Sequence, residues 1–213
     1  KDGIQMEADL QAARARFQTK NYAVCQELYN RKSIESLMNE SDWISKAQCE
    51  FKNKATEKSW SSLTRARALY NSFAVEREWI DLKIALNLKH EALNNALEYL
   101  HSRNVMASQF MNLAEMFHSR GFTDEALAIL EAGRARDPMN ADINLTLSQI
   151  YFQKGLLHAA TEGFARAAET DGKYHYHAAE LQRQLGHMEL SRYQNVYIAD
   201  PKEKLKQKIA AVV

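Results

Sequence analysis

Residues 107–140 read ASQFMNLAEMFHSRGFTDEALAILEAGRARDPMN, and the adjoining residues 141–174 read ADINLTLSQIYFQKGLLHAATEGFARAAETDGKY. Aligned without a gap, the two segments place residues of the same kind at the same positions, including Gly121 over Gly155 and Ala126 over Ala160. The alignment therefore indicates an internal repeat, in which the second segment starts where the first one ends.

Each segment predicts two helices joined by a tight turn. Positions 4, 7, 8 and 11 share one face of a first helix, and positions 20, 24 and 27 share one face of a second. Small residues at positions 8, 20 and 27 let the two helices approach closely. Gly121 and Gly155 are predicted to end the first helices with a positive φ, and Pro138 is predicted to stop a second helix.

The first segment resembles the tetratricopeptide repeat, a helix-turn-helix unit of about 34 residues, at all eight of its characteristic positions. The matching residues are Phe110, Leu113, Ala114, Phe117, Ala126, Leu130, Gly133 and Pro138. The second segment matches at six positions and departs at Asn144 and Gly172. The resemblance implies an all-α fold, a right-handed α-solenoid of about six helix-turn-helix hairpins with a C-terminal capping helix.

The same frame extends over the chain and predicts a single solenoid across residues 1–213. Residues 107–140 and 141–174 are clear repeats, 6–39, 40–73, 73–106 and 175–200 are degenerate ones, and 201–213 form the capping helix. The frame slips by one residue, and we expect this slip, and with it a joint between two parts of the chain, near Arg103-Asn104. The alternative for residues 1–106 is an irregular α-solenoid of helical hairpins.

Composition agrees with a helical chain and excludes several functions. Seven Gly and two Pro in 213 residues are too few for a turn-rich all-β fold. A net charge of +1 offers no basic surface for nucleic acid or an anionic membrane. The sequence also lacks a run of about 18 apolar residues. We therefore expect no nucleic-acid partner and no membrane insertion.

No residue spacing is typical of catalysis or metal binding. Of the seven His, only His175 and His177 are close, and residues two apart point to different faces of a helix. Phosphate-binding loops, nucleophile elbows and dinucleotide fingerprints are absent from the sequence. We predict a protein that is not an enzyme, with no catalytic residue, metal or cofactor. The alternative, an enzyme on a degenerate helical repeat, requires a converging pocket of carboxylates and histidines.

The two cysteines belong to neighbouring repeats. Cys25 is in the second helix of the first repeat and Cys49 is in the first helix of the next, so contact between them is possible. They are either two buried free thiols or, if the protein is exported, a disulfide.

The resemblance implies that another protein binds in a concave groove formed by first-helix positions. Positions 5 and 12 are mostly apolar and position 9 is polar, so we expect the groove to take an amphipathic helix or an apolar peptide. The predicted groove residues are Leu10, Arg14, Phe17, Ile44, Phe51, Arg77, Met111, Glu115, His118, Leu145, Gln149 and Phe152. The alternative is that these side chains pack against neighbouring helices and bind no ligand.

The end of the sequence suggests a second function. Residues 199–208 resemble a segment of bacterial periplasmic repeat proteins that accompany TonB-type energy-transducing systems. This resemblance implies an assembly or accessory subunit of a bacterial envelope machine, acting through a terminal or convex face or as a homo-oligomer. It also implies a periplasmic location, with the cytoplasm as the alternative.

Overall fold

The computed structural model describes residues 2–175, 179–180 and 182–186, which contain helices and turns but no strand. The all-α prediction with helical hairpins is confirmed. Most of the predicted repeat at 175–200 and the whole capping helix at 201–213 lie outside the described residues. The α-helices are α1 (Asp2–Gln18), α2 (Tyr22–Tyr29), α3 (Glu40–Lys52), α4 (Thr56–Tyr70), α5 (Phe73–Ala85), α6 (Lys89–Ser102), α7 (Ala107–Ser119), α8 (Thr123–Arg136), α9 (Ala141–Gln153) and α10 (Leu157–Thr170).

Two short 3-10 helices, Lys32–Leu37 and Gly172–Tyr174, follow α2 and α10. The described residues form two compact units, one of residues up to 105 with 119–125 and the other of residues 106–118 with those from 126 onward. In the first unit, α1 packs on α2, α3 on α4, and α5 on α6, and α2 and α4 also contact the helices that follow them. In the second unit, α9 packs on α10. Among the described residues, no helix is both long and apolar enough to cross a bilayer.

The turn inside each of the five hairpins of the described residues contains a residue with positive φ. These residues are Lys20 (57°), Lys54 (63°), Asn87 (62°), Gly121 (82°) and Gly155 (75°). The predicted positive φ at the two glycines is confirmed. Three of the four intervals between these residues are equal, and the interval from Lys54 to Asn87 is one residue shorter. The one-residue slip therefore lies between Lys54 and Asn87 and not near Arg103-Asn104. The boundary between the two compact units, at Val105 and Met106, does lie beside the expected joint.

Side-chain caps fix where several helices begin. At the start of α3, the Asn39 side chain accepts a hydrogen bond from the Asp42 backbone N–H, and the Asp42 side chain accepts one from the Asn39 N–H, both at 3.0 Å. Ser72 caps α5 and Asn140 caps α9 through the N–H three residues further on. These short polar residues therefore fix where α3, α5 and α9 begin, each of which is the first helix of its hairpin.

Small residues allow the helices of the second unit to approach closely. A Cβ on Gly133, at position 27, would lie 3.0 Å from Cδ1 of Ile143. A Cβ on Gly163 would lie 2.1 Å from Oγ of Ser148. Position 27 was predicted to be small, whereas the requirement at Gly163 arises because Ser148 of α9 faces it directly.

The repeat at 40–73 replaces one of its aromatic core positions with a buried polar pair. Glu50 stands at position 11 and is 1% exposed. Its Oε2 accepts a 2.7 Å hydrogen bond from the Ser62 hydroxyl of α4. This pairing explains how an atypical repeat sequence still forms an ordinary hairpin.

Candidate functional site

A pocket between α7 and α9 brings together four of the predicted groove residues. Its volume is about 290 Å³, and we call it the α7/α9 pocket; its lining residues are Met111, Ala114, Glu115, His118, Thr146, Gln149, Ile150 and Gln153. Ala114 and Ile150 are buried, and Met111 is half-buried beside them. Glu115 and Gln149 are exposed. The pocket therefore has an apolar floor and a polar rim.

A second pocket lies within the first unit, between α3 and α5. Its volume is about 220 Å³, and we call it the α3/α5 pocket; its lining residues are Gln48, Phe51, Lys52, Ser59, Leu63, Glu78, Asp81, Leu82, Ala85 and Arg120. Phe51 is the one predicted groove residue in this pocket. Its wall is apolar, but two carboxylates and two cations also line it.

The two pockets use the same positions of the repeat. The α3/α5 pocket lies between the repeats at 40–73 and 73–106, and the α7/α9 pocket lies between those at 107–140 and 141–174. In both pockets, the first of the two repeats contributes its positions 9 and 12. The second contributes its positions 6, 9, 10 and 13. Position 10 was not among the predicted groove positions. It contributes Leu82 to one pocket and Ile150 to the other. Recurrence of the pocket indicates that the hairpin geometry, not one unusual side chain, creates it.

The carboxylates of the α3/α5 pocket have different surroundings. Asp81 accepts a 2.9 Å ion-paired hydrogen bond from Arg120. Glu78 accepts a 2.7 Å hydrogen bond from the side-chain amide of Gln48. Burial raises the pKa of Glu78 above its ordinary value, and the hydrogen bond from Gln48 offsets only part of that effect. Glu78 is therefore the carboxylate of this pocket whose charge is poorly compensated.

Several predicted groove residues pack against helices instead of lining either pocket. Leu10 is 1% exposed and belongs to the buried core of the first unit, so its assignment to the groove is wrong. Phe17 and Ile44 are half-buried against the same core. Leu145 packs in the same way against the buried apolar residues of α10. Position 5, where three of these residues stand, thus contributes to the hairpin core, although Met111 at the same position lines the α7/α9 pocket.

The remaining predicted groove residues have individual surroundings. Arg14 forms an ion pair with Asp42 at 2.7 Å. Arg77 is exposed and lines neither pocket. Phe152 is 41% exposed and stands at position 12 of the repeat at 141–174. Most of the repeat that follows, 175–200, lies outside the described residues.

Cys25 and Cys49 form a disulfide between α2 and α3. Their Cα atoms are 6.1 Å apart, and both residues are 0% exposed. The disulfide therefore links the second helix of one repeat to the first helix of the next. Among the described residues, no group of three or more His, Cys, Asp or Glu is arranged to hold a metal ion.

Comparison with known proteins gives one family and a set of similar folds. A family model for the tetratricopeptide repeat matches residues 119–185. The crystal structure of MamA protein has a TM-score of 0.51 at 16% identity, over 80% of this chain and 94% of that chain. The C-terminal part of a TPR repeat-containing protein from Cytophaga hutchinsonii also has a TM-score of 0.51, at 13% identity over 82% of this chain and 72% of that chain.

At these identities the two structures show a shared fold and nothing more. No curated protein matches the chain. The family match, the two folds and the regular spacing of the left-handed turn residues agree with one another. Residues 119–185 are therefore the segment that matches the tetratricopeptide repeat family, and the chain shares its fold with the two solved structures.

Proposed function

We propose that this protein is a non-enzymatic interaction scaffold that binds an apolar or amphipathic segment of another protein in the α7/α9 pocket. Tetratricopeptide repeat proteins generally act as non-catalytic scaffolds for other proteins. The observation that carries the finer proposal is the apolar floor of this pocket, formed by Met111, Ala114 and Ile150, beneath an exposed polar rim.

The chemistry of the rim restricts the ligand. Glu115 is exposed at position 9, where it repels a carboxylate and favours a hydrogen-bond donor or a cation. Members of the family that clamp the C-terminal carboxylate of chaperones carry Lys at position 5 and Asn at position 9, whereas this repeat has Met111 and Glu115. The segment that fits best presents an apolar side chain to the floor and polar or basic neighbours to the rim.

A peptide library displayed on phage tests this proposal against the full chain. We expect selected peptides to share an apolar residue and to lose about tenfold in affinity against Met111→Gln. The matched control is Met139→Gln, since Met139 is 56% exposed and lies outside the pocket. Equal loss in both variants, no loss in either, or selection of peptides without an apolar residue would overturn the proposal.

A second candidate is the assembly or accessory subunit of a bacterial envelope machine. The disulfide between Cys25 and Cys49 favours it, because disulfides form and persist mainly in oxidising compartments such as the bacterial periplasm. Thiol labelling of acid-quenched cells of the source organism tests this candidate. We expect both cysteines to resist labelling until a reductant is added, and labelling without reductant would exclude an oxidising compartment.

A further inference from the structure

We propose that the α3/α5 pocket accepts one basic side chain, Arg or Lys, from a partner protein, and that Glu78 is the carboxylate it meets. The inference rests on the proposed function only in taking the ligand to be a segment of another protein. It concerns a different pocket and a different ligand chemistry, so either proposal can fail without the other.

The first argument is the unpaired charge of Glu78. Its carboxylate accepts one hydrogen bond, from Gln48, and forms no ion pair within the described part of the chain. Burying an ionised carboxylate without a cation costs free energy. A guanidinium or ammonium group that enters the pocket would supply the missing charge and donate to the oxygen that Gln48 leaves unused.

The cations already present do not fill that role. Arg120 is paired with Asp81 through a 2.9 Å contact. Lys52 is exposed at the end of α3, where water screens its charge. A basic ligand therefore finds one free acceptor in the pocket and does not have to displace an existing ion pair.

The second argument is the shape and lining of the pocket. Phe51, Leu63 and Leu82 form an apolar wall beside the carboxylate. The methylene stem of Arg or Lys packs on such a wall while its charged end reaches a polar group, and an aromatic face adds a cation–π contact. A volume of about 220 Å³ suits one side chain, since pockets for larger ligands span roughly 300–1,000 Å³.

Proton release is expected to accompany binding. Burial raises the pKa of Glu78, with Asp81 adding to the rise and Arg77 and Lys52 opposing it; Arg120 is the other charged residue in the lining. A bound cation favours the ionised carboxylate and so lowers this pKa. The affinity for a basic side chain should therefore increase as the pH rises through the pKa of Glu78.

The test uses N-acetyl-arginine amide, N-acetyl-lysine amide and N-acetyl-norleucine amide as probes, titrated into the isotope-labelled full chain. We expect the side-chain amide resonance of Gln48 to shift and saturate with the basic probes, and to respond at least tenfold more weakly to norleucine. Glu78→Gln should lose the response to the basic probes. Glu98→Gln is the matched control, because Glu98 is exposed on α6 and lies outside the pocket.

A second measurement does not depend on any variant folding. The carboxyl carbon of Glu78 is titrated in the wild-type chain with and without N-acetyl-arginine amide, and the probe should lower the pKa. An unchanged pKa, a norleucine response equal to the arginine response, or full binding by Glu78→Gln would overturn the proposal. None of these outcomes bears on the α7/α9 pocket, which the phage-displayed peptides and Met111→Gln test separately.

Discussion

Arg14 donates two parallel hydrogen bonds to Asp42, from Nε to Oδ1 over 2.8 Å and from Nη2 to Oδ2 over 2.7 Å. The Tyr29 hydroxyl donates to the same carboxylate at 3.2 Å, and the Asn39 backbone N–H donates at 3.0 Å. The Asp42 side chain is 3% exposed and that of Arg14 is 33% exposed. One carboxylate thus caps α3 and joins it to α1 and α2.

Asp42→Asn should lower the free energy of unfolding at pH 7 by about 1–3 kcal/mol, because it leaves Arg14 without its partner charge. Burial raises the pKa of Asp42, but hydrogen bonds from Arg14 and from the Asn39 backbone outweigh it, and the net pKa lies below its ordinary value. A carboxyl whose folded pKa is depressed contributes stability above its unfolded pKa, about 3.9, and loses it as the pH falls further.

Urea unfolding at a series of pH values measures both effects. The loss of stability between pH 5 and acid should be smaller in Asp42→Asn than in the wild type. Glu27→Gln is the control, because the Glu27 side chain is 73% exposed and its contact with Arg31 is a loose one of 3.9 Å. If the control loses as much stability as Asp42→Asn, the hydrogen bonds and ion pair of Asp42 add no more to the unfolding free energy than an exposed carboxylate does.

Glu50→Gln should stabilise the protein at pH 7 and lose that advantage near pH 4. Burial raises the pKa of Glu50, although the hydrogen bond from Ser62 opposes the shift. A carboxyl with a raised folded pKa costs stability as the pH rises from its unfolded pKa, about 4.3, through the folded value. Gln keeps an acceptor for Ser62 and does not ionise. The test is the urea midpoint of Glu50→Gln relative to the wild type at pH 7 and near pH 4, with exposed Glu57→Gln as the control. If Glu50→Gln shifts the midpoint equally at the two pH values, the prediction is contradicted.

Cys25→Ala/Cys49→Ala should cost roughly 3 kcal/mol of unfolding free energy, since the disulfide closes a loop between residues 24 apart in sequence. Both cysteines are 0% exposed, so a reductant should reach the disulfide only after local unfolding. Urea curves with and without reductant compare the two chains. The wild type should approach the variant only in reductant, and a double variant as stable as the oxidised wild type would refute a stabilising role.

Gly163→Ala should destabilise the protein by about 1–2 kcal/mol, despite the higher helix propensity of Ala. The added Cβ would lie 2.1 Å from Oγ of Ser148 and 3.2 Å from the carbonyl oxygen of Asn144. Ser148→Ala removes the nearer atom and should partly restore stability in the double variant. Thermal unfolding of the single and double variants forms the cycle, and additive effects would mean that the added methyl group and the Ser148 hydroxyl do not collide.

The period and the hairpins could be predicted because glycines mark the turns of the two clear repeats. In the first three hairpins the left-handed turn residues are Lys20, Lys54 and Asn87, which give no such signal in the sequence. The one-residue slip lies between Lys54 and Asn87, whereas the expected joint near Arg103-Asn104 lies beside the boundary between the two compact units. Backbone geometry, unlike residue type, recurs through all five hairpins of the described residues.

The candidate pockets were harder to predict, because each is formed by two consecutive repeats. Met111, Glu115, His118 and Gln149 were identified from single-helix positions and do line one pocket. Leu10 occupies a comparable apolar position but is buried in the core. Helical periodicity gives the face of a residue, whereas the distance to the neighbouring hairpin decides whether that face is covered.

The disulfide between α2 and α3 crosses from one repeat to the next. Stacked repeats contact only their neighbours, so each boundary between two repeats is a place where they can open separately. A covalent link across the first boundary prevents the first hairpin from separating without strain on the second. The two repeats that the disulfide joins should therefore exchange the amide hydrogens of α2 and α3 as one cooperative block.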